Sequence, residues 1–352
     1  MNPEPNCVHV CSGAHVIAGG AGKVSLGLRS IDPVSDPLRT MIDPAETSPQ
    51  KPQGKPGHSE DYFGDYRDHW WNADFLRLMA QRLDWGTRRR ILEVGCGAGH
   101  WTRAYAPFLS GDCEITCIDS DPKWSNPDAP WIQKLTDRGI SLKVQSGNAT
   151  ALTFPDATFD FVTCQTVLIH ISDPQAALKE MVRVLKPGGL LLCVEPDNFG
   201  TFSGESSLDE SVSLEDFTAD FKSALTQKRG RIARGLGNLS LGGRLPGLVA
   251  QTGLINLQVF LSDKVLPMYP PYNTTAQVAV LATIEKLFSS GMDLSRDEVR
   301  KNYLAGGGSE AEFERQWARG MAQRKAYLDA VNKRTCDYAG GTLMYLVSGT
   351  RA

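Results

Sequence analysis

The run Ile91-Leu92-Glu93-Val94-Gly95-Cys96-Gly97-Ala98-Gly99-His100 carries an apolar strand pattern straight into three glycines spaced GxGxG and then into a helical pattern. Glycines at such a turn allow backbone angles closed to other residues and let a ligand approach the main chain, while the helix start offers amide donors. A nucleotide-like ligand is the expected occupant. Glu93, two residues before Gly95, stands where an ammonium group could be held. Asp119 closes the next apolar run twenty residues beyond Gly99, and a carboxylate there can accept hydrogen bonds from both hydroxyls of a ribose. NAD satisfies these features too, although its usual loop is GxGxxG.

For these groups to meet, the elements carrying them must end on one edge. From Ile91 onward, short apolar runs alternate with longer amphipathic segments, the pattern of parallel strands joined by crossover helices. Strands are expected at Arg90 to Val94, Glu114 to Ile118, Leu142 to Ser146, Phe159 to Gln165 and Gly189 to Glu195, with helices at Trp101 to Leu109, Pro130 to Arg138 and Gln175 to Val184. A first helix is expected over 61–85. After Asp197 the rhythm breaks: a loop leads to a helix from about Ser213 to Arg234, another helix spans Leu245 to Thr252, and a strand runs from Ile255 to Leu261. Residues 274–335 read as helical, interrupted by the triple glycine 306–308, and Gly341 to Val347 reads as the last strand. Two insertions, about 200–240 and 265–338, are expected to form a helical cap, with the triple glycine as the hinge of a lid.

Composition sets the outer bounds. With 352 residues, 41% hydrophobic and 22% charged, the chain has material for a large globular core. Lys plus Arg number 37 against 40 Asp plus Glu, a net charge of -3, so nucleic acid is not the expected partner. The longest apolar stretch, Leu190 to Val194, is far short of the roughly 20 residues of a membrane helix. Met1 to Pro5 has no secretion-signal character, and a cytoplasmic location is expected. Residues 1–58 hold eight Pro and seven Gly without periodicity, and are read as a flexible leader before a folded unit over 59–352. The eight cysteines include no CxxC pair, so no metal site is expected, and Cys7, His9, Cys11 and His15 do not have the spacing of a structural zinc site.

Three later stretches add to the glycine loop and Asp119: Gly147-Asn148-Ala149, the run from Phe159 through Gln165 to His170, and Leu185-Lys186-Pro187-Gly188-Gly189. Together these resemble class I S-adenosylmethionine-dependent methyltransferases, in particular the small-molecule group similar to the ubiquinone and menaquinone biosynthesis methyltransferases. The resemblance is dense from Ile91 to Pro196 and looser from Gly242 to Gly349. It implies an α/β fold, a Rossmann-like doubly wound seven-stranded sheet with a helical insertion near the C-terminus, and S-adenosyl-L-methionine as cofactor. It also implies roles: Gly95, Gly97 and Gly99 beneath the methionine part, Asp119 on the ribose, and Asn148 with Ala149 at the adenine. The family often has Asp where this chain has Asn148, whose amide oxygen can still accept from the adenine amino group.

Methyl transfer is an in-line displacement on a carbon already activated by a sulfonium. The protein's work is therefore positioning and exclusion of water, with a base only where the nucleophile carries a proton of high pKa. His170, five residues past the fourth strand, has the ordinary imidazole range for that work. Its two readings are a base or substrate-orienting group, and a histidine capping the next helix or packing under the lid. Gln165 is placed for the cofactor's amino-acid moiety or for a structural bond. Glu195 and Asn198, after the fifth strand, are candidates to touch a small-molecule substrate, as are Tyr62 and Tyr66 from the first helix and Tyr269 and Tyr272 ahead of the lid, whose rings would favour a nearby cation. A homodimer is compatible with this layout. The competing classes are a nicotinamide-dependent reductase and a pseudo-enzyme that keeps cofactor affinity for assembly.

Overall fold

Ile91, Leu92 and Val94 are apolar on both sides of one strand, as a strand needs when helices cover both sheet faces. In the computed structural model they lie in β1, Arg90–Val94, beside β2, Glu114–Asp119, and β4, Phe159–Gln165. Residues 64–200, 206–289, 296–341 and 343–352 are described. The leader over 1–58, with Cys7, His9, Cys11 and His15, lies outside them, as does Tyr62.

The remaining strands are β3, Ser141–Ser146; β5, Leu185–Pro196; β6, Ile255–Leu261; β7, Leu266–Met268; β8, Tyr338–Gly340; and β9, Met344–Thr350. Seven of them form one sheet in the order β3-β2-β1-β4-β5-β9-β6. The first five are parallel, while β9 runs antiparallel to β5 and β6. This is the expected Rossmann-like doubly wound sheet. The order reverses between β1 and β4, and such a reversal opens a crevice at the carboxyl ends of the strands. Val94 sits level with both Ile118 and Cys164, so Gly95, Asp119 and Gln165 emerge together on that edge.

Successive β1 side chains alternate between two cores. Ile91 joins Trp85, Trp101, Tyr105 and Phe161 under helices α1, Ala73–Arg82, and α2, His100–Tyr105. Leu92 and Val94 join the opposite core under α4, Pro174–Val184, and α6, Leu245–Ala250. Helix α3, Pro130–Thr136, connects β2 to β3.

Several boundaries differ from expectation, three of them informatively. The first helix is broken into a 3-10 coil, Gly64–His69, and α1, because Trp70 is buried and Trp71 also packs on the core, a pair that one continuous helix cannot point the same way. Strand β5 starts at Leu185, with the Gly188 turn (φ 74°) absorbed as an irregularity between the Phe159 and Phe161 pairings. The last strand lies three residues later, at Met344–Thr350.

The insertions supply α5, Leu214–Ala233; α7, Thr275–Ser289; α8, Arg296–Ala305; and α9, Glu310–Lys333. The second insertion is not helical throughout: it opens with β7 and closes with β8, which pair with each other. Helices α5 and α8 cross at glycines, where a Cβ on Gly230 would lie 1.6 Å from Asn302 O and one on Gly306 1.9 Å from Thr226 O. Gly308 is covered by the Tyr303 ring at 2.0 Å from such a Cβ, and only Gly307 faces open space. The triple glycine is therefore a close-packed crossing followed by a turn into α9, whose capping box is built by Ser309 and Glu312; it is not built as a free hinge. Arg234 ties the same helices through Asn302 Oδ1 at 2.6 Å and Glu298 Oε2 at 2.9 Å.

Gly230→Ala is expected to wedge α5 from α8 at a cost of about 1–3 kcal/mol or more, since backbone cannot yield as a side chain does. Hydrogen exchange should accelerate in 214–233 and 296–333 while β1 and β4 stay protected. Unchanged exchange in both helices would refute the close crossing.

Candidate functional site

Gly95, Gly97 and Gly99 have φ values of 72°, 50° and 73°, the left-handed region glycine adopts at little cost. The protein also fills the space beside them: a Cβ on Gly95 would lie 2.3 Å from Val167 Cγ2, and one on Gly99 2.5 Å from Trp131 Cδ2. The loop is laced to its neighbours, with the amides of Gly95 and Cys96 donating to Ile118 O at 2.7 and 3.0 Å and that of Gly99 to Cys96 O at 2.9 Å. The Gly97 amide donates to Asp119 Oδ2 at 2.9 Å. The helix start was expected to offer amide donors to a ligand. The left-handed turn instead folds these loop amides back on the loop itself and on β2, and α2, with six residues, is too short to act as an anion site through its dipole.

Asp119 is 4% exposed, and its other oxygen accepts from the Asp121 amide at 2.9 Å. A carboxylate has about four acceptor positions, so two amide contacts hold this one at the β2 end while leaving its chemistry suited to hydroxyl donors. Asp121 caps the next turn by accepting from the Lys123 amide. Glu93 corrects expectation. It is 1% exposed and accepts from Thr102 Oγ1 at 2.6 Å, beside the Tyr105 phenol, whose pKa burial and then the Glu93 charge push up. Glu93 thus braces α2 from beneath the loop through Thr102. Asn148 is also corrected: its Oδ1 accepts from the Thr150 amide and hydroxyl at 3.0 and 2.9 Å, an Asx turn that occupies the oxygen intended for adenine. Ala149 is half-buried against the second core.

Across the crevice, Gln165 is 5% exposed, and its Oε1 has no hydrogen-bond partner among the described residues. An unmet buried acceptor costs about 1–3 kcal/mol, so this oxygen marks a place for a donor. Thr166 follows with φ 59°, and its hydroxyl accepts from Arg67 Nη2 at 3.3 Å. The 3-10 turn Leu168–His170 comes next, with His170 exposed at its tip.

Glu195 was read as a substrate contact, but it is fully buried. Its Oε1 accepts from the amides of Val167 and Leu168 at 2.9 and 2.8 Å, and its Oε2 from that of Ile169 at 3.4 Å. It holds the turn that carries His170. Burial pushes its carboxyl up to about 7, against the three amides, which favour the charged form. Gly237, leaving α5, presses on the same turn, where a Cβ would lie 2.2 Å from Ile169 O. A cavity of about 270 Å³ opens nearby between Leu168, Gln175, Ile232 and Leu248; it includes none of the glycine-loop residues and is not the cofactor crevice.

Among the other substrate candidates, Asn198 Nδ2 donates to Leu239 O at 2.7 Å and so pins the chain after β5. Tyr272 is 5% exposed and its hydroxyl donates to Cys336 O at 2.6 Å, which makes it a cap-core residue. Tyr269 is 51% exposed on the connector. Tyr66 is half-buried at the seam where the first core meets the cap cluster of Met268, Tyr327 and Tyr338. Sequence reasoning missed Arg67, Asp68, His100 and two tryptophans, Trp124 in the turn after Asp119 and Trp131 against Gly99. An arginine and an aspartate amid aromatics in YRDHWW, and a tryptophan five residues after Asp119, were the available signals.

Residues 92–193 match the family described as Methyltransferase domain, Methyltransf_11. The stretch contains the glycine loop, Asp119, Gln165 and His170, but not the cap. The uncharacterized methyltransferase YcgJ of Bacillus subtilis is 32% identical over 133 residues, 37% of this chain and 50% of that protein. Demethylmenaquinone methyltransferases of Bacillus subtilis and Geobacillus kaustophilus are 39% and 35% identical over 134 residues, 37% of this chain and 54% of each. The matched region thus spans about half the length of these relatives. The solved structure of YcgJ superposes with a TM-score of 0.44 at 20% identity, covering 80% of this chain and 99% of that one. Among the described residues no helix is long and apolar enough to cross a membrane.

Proposed function

We propose that the chain transfers a methyl group from S-adenosyl-L-methionine to a small organic acceptor enclosed by the cap. The observation that carries this reading is the crevice between β1 and β4 inside the matched domain: three left-handed glycines on one side, the Asp119 carboxylate at the β2 end, and the buried, unmet Gln165 Oε1 opposite. These groups fit a nucleoside with an amino-acid arm. Hydroxyls would donate to Asp119 and an ammonium to Gln165 Oε1.

When bound, the cofactor supplies a methyl group on an excellent leaving group, so attack needs alignment more than proton transfer. Asp119 fixes the ribose end and Gln165 the amino-acid end. Glu195, through the amides of Val167 to Ile169, sets the height of the turn bearing His170, which in this reading orients the acceptor or takes its proton. Tyr66 and Tyr269 border the acceptor side from the seam and the connector. The location is proposed as cytoplasmic, residues 1–58 as a leader, and a homodimer as compatible.

Calorimetry with S-adenosylhomocysteine and NAD, followed by a small-molecule extract screen using methyl-labelled cofactor, tests the reading. Micromolar S-adenosylhomocysteine binding and a labelled small product are expected. Binding of NAD with none of S-adenosylhomocysteine would overturn it.

A further inference from the structure

The cavity between the first turn of α4, the end of α5 and the start of α6 is lined for a ligand of its own. Its volume is about 270 Å³, just under the range of pockets that enclose drug-sized ligands and enough for a molecule of one or two rings. Leu168, Ile171, Ile232, Leu241 and Leu248 make its walls apolar. Gln175 is the exception. Both polar atoms of its side-chain amide, Nε2 and Oε1, are shielded from solvent, and neither has a hydrogen-bond partner among the described residues. Burying an amide unpaired is costly, and here the donor and the acceptor are unmet on one planar group. At the mouth stand two exposed side chains of opposite sign, Asp173 and Arg244, so the entrance favours neither anion nor cation. Asp173 is also committed to the α4 cap, where it accepts from the Ala176 amide at 3.1 Å.

We propose that this cavity is a second binding site, for a small, uncharged and largely apolar molecule that carries a cyclic amide. A lactam presents N–H and C=O side by side, so it meets Gln175 Oε1 and Nε2 in one pair of hydrogen bonds while its ring covers the apolar walls. A carboxylate offers acceptors alone and leaves Oε1 unmet, and a hydrocarbon leaves both atoms unmet. Water can satisfy the amide but does not cover the walls. Ile232, Leu241 and Leu248 lie beyond residues 92–193, so the pocket is made where the matched domain meets the chain that follows it. Leu168 and Ile171 bracket His170, and the Leu168 amide donates to Glu195 at 2.8 Å. An occupant therefore rests against the turn that bears His170. The inference does not depend on the cofactor assignment.

Ligand-observed NMR titrations of the full chain test the site with 2-quinolone, a bicyclic lactam, and naphthalene, which has the same ring frame and no polar group. The wild-type protein should bind 2-quinolone saturably and about tenfold or more tightly than naphthalene, the order for neutral hydrogen bonds in an apolar pocket. Gln175→Met is close in shape and removes an unmet amide, so it should fold. It should weaken 2-quinolone by about tenfold and shift naphthalene less than about twofold. Ile232→Trp, at a rim position 49% exposed, should block both probes by filling the mouth, and it decides the matter if the methionine variant does not fold. Hydrogen exchange with 2-quinolone present should slow over 168–175 and 232–248. No saturable binding at millimolar 2-quinolone, equal affinity for the two probes, or binding that neither substitution alters would overturn the proposal, as would slowing confined to β1, β2 and the glycine loop.

Discussion

Asp119→Ala should raise the dissociation constant for S-adenosylhomocysteine by about 10- to 150-fold, corresponding to about 1.5–3 kcal/mol for charge-assisted hydrogen bonds. The carboxylate would bond the ribose hydroxyls, and it also accepts from the buried Gly97 amide at 2.9 Å. Removing it thus leaves a loop donor unmet and should lower stability by about 1–3 kcal/mol as well. Asp119→Asn, which can keep one acceptor for Gly97, should recover most of the stability and little of the affinity. Calorimetry and denaturant melts on the two variants read the two effects separately. Unchanged affinity in both variants would remove Asp119 from the site.

Glu195→Ala should cost on the order of 4 kcal/mol, because three amides of the His170 turn lose their acceptor and a buried side chain is removed. The pH dependence gives an independent check. Burial raises the folded carboxyl to about 7 from an ordinary value of 4.5, so the folded state holds the proton more tightly than the unfolded one. This contribution to stability is complete below about pH 4.5 and is lost as pH rises to about 7, on the order of 3 kcal/mol in all. Other groups move in the opposite sense; Asp68, for example, has its pKa held low by its bonds to His100 and Arg103 against the effect of burial. The readout is therefore the difference between wild type and Glu195→Gln in urea melts at pH 5 and pH 8. The glutamine variant should lose less stability on going to pH 8. Identical pH slopes would show that Glu195 keeps an ordinary carboxyl in the fold.

Much of the frame is legible from residue order. Arg90–Val94, Phe159–Gln165 and Ile255–Leu261 have the expected ends, because short apolar runs bounded by glycine or charge have few other ways to bury themselves. Asp119 and Gln165 are likewise placed by chain position alone, each at the carboxyl end of a strand. The sites that went astray are polar groups with a choice of partner. Glu195, Asn198 and Tyr272 were read as ligand contacts because they follow strands or sit in connectors, and Asn148 because the family resemblance implied it, yet each bonds the chain itself.

The sequence by itself determined that a glycine turn and an acid would share the carboxyl edge of a parallel sheet, since strand periodicity and glycine's access to left-handed angles are local properties. Only tertiary structure decided which carboxylates face the crevice and which the core. Thr102 claims Glu93, the Val167 to Ile169 amides claim Glu195, and the 3-10 coil brings Arg67 to Thr166 across 99 positions of chain. A buried polar group must find a partner wherever the packed fold supplies one, and that partner is commonly distant in sequence, where no periodicity records it.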